Sequence, residues 1–260
     1  MYPRMPAHKH LMPIALTIAG SDSGGEAGIQ ADLKTFAALG VHGTSAITCI
    51  TAQNRKHVSS VFPCTPKMVQ AQLEAVFEEH SPAAVKTGML YSQLLVHEVV
   101  RFLRRHRNIA LVVDPVMIST SGRVLLQPQA FSELKRFLLP LATLVTPNVP
   151  EAEALSGTKI KSFDDMRAVA KLIEKYYHCA ALIKGGHLPG ARQASDVLWD
   201  GKREWIFSAP FVRGARLHGT GCTYSAAITA GLAHGKTLPG AVEQGKLYIN
   251  GHIRAQKVHA

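Results

Sequence analysis

Short apolar runs rich in β-branched residues alternate along this chain with segments whose apolar residues recur at helical spacing. Residues 14–19, 45–52 and 181–184 are such runs, and residues 29–37 form one of the helical segments between them. Buried strands that alternate with helices pack as a parallel sheet covered on both faces. The sequence therefore predicts an α/β fold with a mostly parallel sheet.

The chain shows no boundary between domains. No linker, low-complexity tract or internal repeat divides its 260 residues, which fit one large α/β domain. Residues 196–198 and 205–207 flank Asp200-Gly201 and predict an antiparallel hairpin at the sheet edge. We expect a single domain over residues 14–260, after a flexible extension over residues 1–13 that lacks the apolar core of a secretory signal.

Composition restricts the class of protein. The chain is 47% hydrophobic and 18% charged, as in globular proteins, and its apolar runs are too short to span a bilayer. The four cysteines form no Cys-x-x-Cys pair, which predicts free thiols in a reducing cytoplasm. The net charge of +11 allows a nucleic acid, an anionic substrate or a basic surface. The only dense basic cluster, residues 101–107, falls on one predicted helix, so we favour a solvated face and expect neither a nucleic acid nor a membrane partner.

Polar or glycine residues follow the predicted strands. The first strand runs into a loop of small residues at positions 20–28, an order of elements typical of ligand binding that matches neither the Rossmann nor the P-loop pattern. Ligands bind outside the carboxyl ends of parallel strands, so the residues there are candidates for a site. Those at the later strand ends are Gln53, Met89, Asp114, Thr146, Asn148 and Lys184.

A glycine-rich helix start at residues 217–227 is the candidate for the chemistry. Gly219 and Gly221 allow positive φ, and the free N–H groups of a helix start suit a phosphate. Cys222 would lie at this anion hole with its pKa lowered by the helix end. The alternative is a glycine turn with a buried cysteine.

These parts together favour phosphoryl transfer, which relies on positioning and on neutralising charge. Lys184 lies beside two glycines, and Asp114 and Glu151 are the carboxylates available for Mg²⁺, directly or through water. The alternative for each carboxylate is a helix cap or a surface acid. Cys222 would help to remove a proton from a substrate hydroxyl.

Eight motifs occur in one order and carry a family resemblance. They lie at residues 19–25, 27–36, 52–54, 86–90, 114–117, 146–153, 184–187 and 218–223. This set resembles the hydroxymethylpyrimidine/phosphomethylpyrimidine kinases of thiamine biosynthesis, a branch of the ribokinase-like superfamily, from Ile14 to at least Leu232. The resemblance implies a three-layer α/β/α sandwich, a homodimer, and ATP-dependent phosphorylation of 4-amino-5-hydroxymethyl-2-methylpyrimidine and then of its monophosphate.

The resemblance also assigns roles to residues. Gln53 would hydrogen-bond the aminopyrimidine, with Ala27, Asp32, Met89 and Val116 around the same pocket. The anion hole would consist of Gly219, Thr220 and Gly221, with Cys222 at the place of a catalytic aspartate in many sugar kinases. Asn148 and Glu151 match an Asn-x-x-Glu magnesium motif, while Thr146, Lys184 and Gly186 would line the phosphates of ATP.

The sequence departs from the family pattern at two positions. Glu26 stands where a glycine or small residue is usual, and Leu217 where a threonine commonly occurs. A carboxylate at Glu26 would repel a bound monophosphate unless it faces solvent. The alternatives are a pyridoxal kinase of the same superfamily and, outside enzymes, a ligand sensor or a nucleic-acid-binding protein.

Overall fold

A computed structural model of the chain describes residues 12–119, 122–186, 188, 193–212 and 218–258. The strands are β1 (Ile14–Asp22), β2 (His42–Gln53), β3 (Val58–Pro63), β4 (Ala84–Thr87), β5 (Ala110–Val113), β6 (Leu144–Val145), β7 (Ala180–Ile183), β8 (Ala194–Trp199) and β9 (Glu204–Ala209). The α-helices are α1 (Gly28–Ala38), α2 (Pro66–Glu79), α3 (Gln93–Leu103), α4 (Pro128–Glu133), α5 (Val149–Ser156), α6 (Phe163–Tyr177), α7 (Thr220–Ala233) and α8 (Leu238–Val258). A π-helical turn, Leu134–Leu138, and a 3-10 turn, Leu139–Leu141, follow α4.

The nine strands of the described residues form one sheet in the order β3-β2-β1-β4-β5-β6-β7-β8-β9. The pairs from β2 through β7 are parallel, whereas β3, β8 and β9 are antiparallel to their neighbours. The predicted mostly parallel sheet and the edge hairpin of β8 and β9 are therefore confirmed. The sequence analysis missed β3, which pairs with the second half of β2.

Helices cover both faces of the sheet, as predicted. Successive strand residues alternate between the faces: Leu16 packs with residues of α2 to α6, and its neighbour Ala15 packs with Phe36 and Ala226 of α1 and α7. The helix α8 adds Val242 to the second face. The central strands are thus buried on both sides, which explains their continuous apolar sequence.

Local sequence signals set several helix starts. Thr65 caps α2, because its side-chain oxygen accepts a hydrogen bond from the Met68 amide, and Pro66 occupies the first turn. Ser162 and Asp165 form a capping box at α6. No helix among the described residues is long and apolar enough to cross a membrane. All four cysteines are free thiols, as predicted.

Candidate active site

A cavity of about 680 Å³ opens at the carboxyl ends of the parallel strands. Its walls come from the segments that follow β1, β2, β4, β5, β6 and β7, together with the start of α7 and part of α8. This volume lies in the range of small-molecule sites. The structure therefore joins motifs that are far apart in sequence around one space.

Most of the residues predicted for the site line this cavity. They are Ala27, Gln53, Met89, Asp114, Val116, Asn148, Glu151, Lys184, Gly186, Gly219, Thr220, Gly221 and Cys222. The structure does not place Asp32 or Thr146 on the cavity wall, because both side chains are buried beneath it. Leu217, His187 at the end of the motif 184–187, and most of the predicted extension lie outside the described residues.

The start of α7 has the geometry of an anion hole. Gly219 precedes the helix with φ +73°, and the first intrahelical bond runs from the Thr223 amide to the Gly219 carbonyl. The amides of residues 220–222 have no acceptor within the helix. The Lys184 Nζ lies 3.5 Å from the point where a Cβ on Gly221 would stand, so a cation adjoins these amides.

Cys222 lies at the junction of two helix starts. The Gly28 amide at the start of α1 is close enough to the thiol to favour the thiolate and lower its pKa. Burial raises the pKa of the thiol to about 11, although Lys86 and the Gly28 amide oppose the shift. The prediction that the helix end lowers this pKa is therefore wrong, because desolvation outweighs the helix end and the nearby cation.

Asp32 forms a buried ion pair below the cavity. Its Oδ2 accepts hydrogen bonds from the Lys86 Nζ at 2.8 Å and from the Thr17 Oγ1 at 2.6 Å, and neither charged side chain is exposed to solvent. Burial raises the pKa of Asp32 despite the lysine. Lys86 itself lines the cavity. The structure therefore offers Lys86, rather than Asp32, to a ligand.

Asp114 and Lys184 form a second buried pair. The Lys184 Nζ lies 3.1 Å from the Asp114 Oδ1, and the Ser225 hydroxyl donates to Asp114 Oδ2 at 3.0 Å. Burial opposes ionisation of Asp114, but Lys184, Lys86 and these hydrogen bonds lower its pKa below the ordinary value. Thr146 does not line the cavity, but its hydroxyl donates a long hydrogen bond, 3.4 Å, to Asp114 Oδ1.

Asn148 and Glu151 form a capping box at the start of α5. The Asn148 side chain accepts from the Glu151 amide, and the Glu151 side chain accepts from the Asn148 amide. The helix-cap alternative for Glu151 is therefore confirmed, yet the same side chain also lines the cavity. Burial and the nearby Asp114 charge raise the pKa of Glu151.

The two carboxylates fit a magnesium ion held partly through water. Among the described residues no three His, Cys, Asp or Glu side chains are placed to hold a metal ion. Mg²⁺ commonly takes only one or two protein carboxylates and completes its shell with phosphates and water. Asp114 and Glu151 also raise each other's cost of ionisation, so a divalent cation between them would be favoured.

Gln53 lines the same cavity together with apolar residues. Met89 and Val116 contribute side chains, and Val116 holds a φ of +24°, a conformation that is rare for a β-branched residue. Backbone strain of this kind occurs preferentially at ligand sites. Next to Gln53 lies His218, which the sequence analysis did not assign to a role although it lay inside a quoted motif.

Glu26, which precedes the cavity-lining Ala27, is paired with Arg55. The Arg55 Nε lies 2.7 Å from one carboxylate oxygen of Glu26 and 2.8 Å from the other. The side chain of Arg55 is 58% exposed. A cation thus accompanies the carboxylate that the sequence analysis expected to repel a monophosphate.

The side of the cavity near α8 contains residues that the sequence did not reveal. Lys246 donates to the Asp196 Oδ2 at 2.7 Å, and the Asp196 Oδ1 accepts from the Gly185 amide at 3.0 Å. Tyr224 and Asn250 complete this wall. These side chains come from α7, α8 and the strand β8, whose sequence patterns are ordinary, so only the fold brings them to the site.

Comparisons with known proteins agree with this arrangement. A family model described as phosphomethylpyrimidine kinase matches residues 22–260. A hydroxymethylpyrimidine/phosphomethylpyrimidine kinase of Rhizobium meliloti is 48% identical over 243 residues, which cover 93% of this chain and 91% of that protein. A phosphomethylpyrimidine kinase structure from Clostridium difficile is 46% identical, with a TM-score of 0.83 over 93% of this chain and 99% of that one.

A related class of kinase is similar in structure. The pyridoxal kinase of Staphylococcus aureus in complex with AMP-PCP and pyridoxal is 35% identical, with a TM-score of 0.84 over 93% of this chain and 88% of that one. The fold and the site thus define a ribokinase-like small-molecule kinase, with the three-layer α/β/α architecture predicted from the sequence. Within that class, the chain belongs to the phosphomethylpyrimidine kinase family.

Proposed function

We propose that this chain uses ATP to phosphorylate 4-amino-5-hydroxymethyl-2-methylpyrimidine and then its monophosphate to the diphosphate, in thiamine biosynthesis. The observation that carries the proposal is the placement of Gln53, Cys222 and the Gly219–Gly221 amides around one cavity, in a member of this family. The names of the relatives and the nucleotide analogue in the similar pyridoxal kinase structure support the choice of substrate and of ATP.

In this mechanism the pyrimidine ring lies between Met89 and Val116 with its edge on Gln53. The hydroxymethyl oxygen then reaches Cys222, while Lys184 and the amides at the start of α7 hold the phosphate being transferred. The hydroxyl oxygen bonds to the γ-phosphorus, its proton passes to the Cys222 thiolate, and the bond between that phosphorus and the bridging oxygen of ADP breaks. Asp114 and Glu151 would hold Mg²⁺, which supplies positive charge to the phosphates when bound.

The test is ATP consumption with each compound. We expect the purified protein with Mg²⁺ and ATP to convert the pyrimidine alcohol to the monophosphate and then to the diphosphate, both detected by mass spectrometry, and EDTA to abolish turnover. Absence of turnover of either pyrimidine would refute the proposal.

Replacing Cys222 by alanine tests the proton transfer. Turnover is expected to fall by about 10²–10⁴-fold, the usual effect of losing a general base, while pyrimidine binding measured by calorimetry stays nearly intact. Because the thiol has a pKa of about 11, the wild-type kcat should rise with pH through the neutral range, and the variant should lose this rise. An unchanged rate in the variant would remove Cys222 from the mechanism.

Pyridoxal phosphorylation is the second candidate, and the similarity to the Staphylococcus aureus pyridoxal kinase favours testing it. The amide of Gln53 can bond the edge of an aminopyrimidine, so we expect the larger kcat/KM on that ring. A larger kcat/KM on pyridoxal would reverse the assignment.

We also propose a homodimer. Ile50 and Phe62 lie directly opposite each other at the β3 edge of the sheet, with 54% and 69% of their surfaces exposed. An exposed apolar pair on the edge strand and its neighbour is typical of a covered surface. Light scattering should give twice the mass of the chain, and replacing Phe62 by lysine should shift the protein towards the monomer.

A further inference from the structure

The side chain of Gln53 is held by His218. The Nε2 atoms of the two side chains lie 3.2 Å apart, and the Gln53 backbone is fixed independently, because its amide donates to the Ser23 hydroxyl and its carbonyl accepts from the same hydroxyl, both at 2.8 Å. Only the orientation of the amide group is left for His218 to set.

The two atoms in this contact determine where the hydrogens lie. The Nε2 of Gln53 carries two hydrogens and no acceptor, so the Nε2 of His218 accepts and the ring proton lies on Nδ1. That Nδ1 is buried and has no hydrogen-bond partner among the described residues. A buried N–H without a partner is costly and therefore uncommon, which indicates that the ring is held for a purpose other than its own hydrogen bonds.

The orientation of the amide decides what the cavity offers to a ligand. With its NH₂ on His218, Gln53 keeps its carbonyl oxygen for the cavity that it lines, and no hydrogen bond from a described residue reaches this oxygen. The Asp22 Oδ2 lies 4.0 Å from the His218 Nε2, beyond hydrogen-bond distance, and the Asp22 carboxylate accepts the amides of Gly24, Glu26 and Ala27 instead.

We propose that His218 is a positioning residue that turns the carbonyl of Gln53 towards the substrate, so that the site selects a ring with an amino group, which donates, over a ring with an oxo or phenolate oxygen, which only accepts, at that position. The inference rests on the proposed function, since it concerns the ring that receives the phosphate. It makes the choice between aminopyrimidine and pyridoxal depend on a residue that need not touch either.

The test compares both rings in His218 variants. His218→Leu removes the acceptor, and we expect the ratio of kcat/KM for the aminopyrimidine alcohol over pyridoxal to fall at least about tenfold, mainly through the KM of the aminopyrimidine. His218→Gln offers an acceptor again and should restore most of the ratio. An unchanged ratio in His218→Leu, or an equal loss on both rings, would overturn the proposal.

Two further measurements keep the proposal open to refutation if His218→Leu does not fold. Gln53→Glu presents only acceptors, so it should keep the preference for the amino ring, and loss of that preference would contradict the assigned orientation. The wild-type protein should bind the 4-amino ring at least about tenfold more tightly than its 4-oxo counterpart in calorimetry, and equal binding would contradict it. Absence of any wild-type turnover would instead refute the proposed function.

Discussion

At the scale of single residues, Gly219 shows why this position of the anion hole requires glycine. Its φ of +73° is unfavourable for other residues, and a Cβ there would stand 1.8 Å from the carbonyl oxygen of Glu26. The start of α7 thus rests directly on the loop before α1. The contact places the start of α7, with its amides and Cys222, beside the start of α1.

Gly219→Ala is expected to destabilise the fold and to abolish most of the kinase activity. The left-handed backbone alone costs about 1–3 kcal/mol in a residue with a Cβ, and the overlap with Glu26 displaces the anion hole. Urea unfolding and turnover at saturating substrate measure the two effects.

Gly221→Ala is the matched control for stability. A Cβ there would meet only the Lys184 Nζ at 3.5 Å, so its unfolding free energy should stay within about 0.5 kcal/mol of the wild type. Equal destabilisation of both variants would contradict the role given to the Glu26 contact.

Sequence reasoning at this scale found the residues that lie in short glycine or strand-end motifs, such as Cys222 and Lys184. It misplaced Asp32, because spacing shows that a residue lies near a site but not whether its side chain points at the ligand or at Lys86. It also left His218 without a role, since that role depends on a contact with a residue 165 positions away.

At the scale of elements, the loop between β1 and α1 is tied to the turn after β2. The Glu26–Arg55 ion pair and the two hydrogen bonds of Ser23 to the Gln53 backbone join them. Strand β3, which completes that hairpin, escaped prediction because residues 58–63 form a short edge strand that ends in proline and depends on pairing with β2. The central strands were predictable because burial on both faces makes them continuously apolar.

Arg55→Ala tests what the ion pair does for the second phosphorylation. Removing the arginine charge beside Glu26 should slow phosphorylation of the monophosphate by about two- to fivefold relative to the alcohol, and added salt should reduce the difference. The double variant Glu26→Ala/Arg55→Ala should regain the wild-type ratio of the two rates. If Arg55→Ala leaves the ratio of the two rates at the wild-type value, the ion pair lies too far from the phosphate to affect the reaction.

For the whole molecule, the buried thiols make stability depend on alkaline pH. Burial raises the pKa of Cys49 and of Cys179 to about 12 and that of Cys222 to about 11, from an ordinary value of 9.0. The folded protein therefore keeps protons that the unfolded chain loses, so the stabilisation is complete below pH 9 and is lost as pH rises through the folded values.

The unfolding free energy should fall above pH 9 by about 1.4 kcal/mol per pH unit for each thiol. Urea titrations at pH 8, 9, 10 and 10.5 measure the slope. Cys49→Ala/Cys179→Ala should show a shallower slope than the wild type over the same range. Identical slopes would mean that other groups control the alkaline transition.

The contact between Gln53 and His218 also bears on how the protein matures. Gln53 lies in the N-terminal part of the chain, and His218 and the anion hole lie in its C-terminal part. A growing polypeptide therefore has no functional site until α7 has been synthesised and has docked against α1. Contacts of such long sequence separation form late and slowly. The return of catalytic activity during refolding would therefore mark completion of the entire fold. A chain released from the ribosome before α7 is made would be inactive even with its sheet largely assembled.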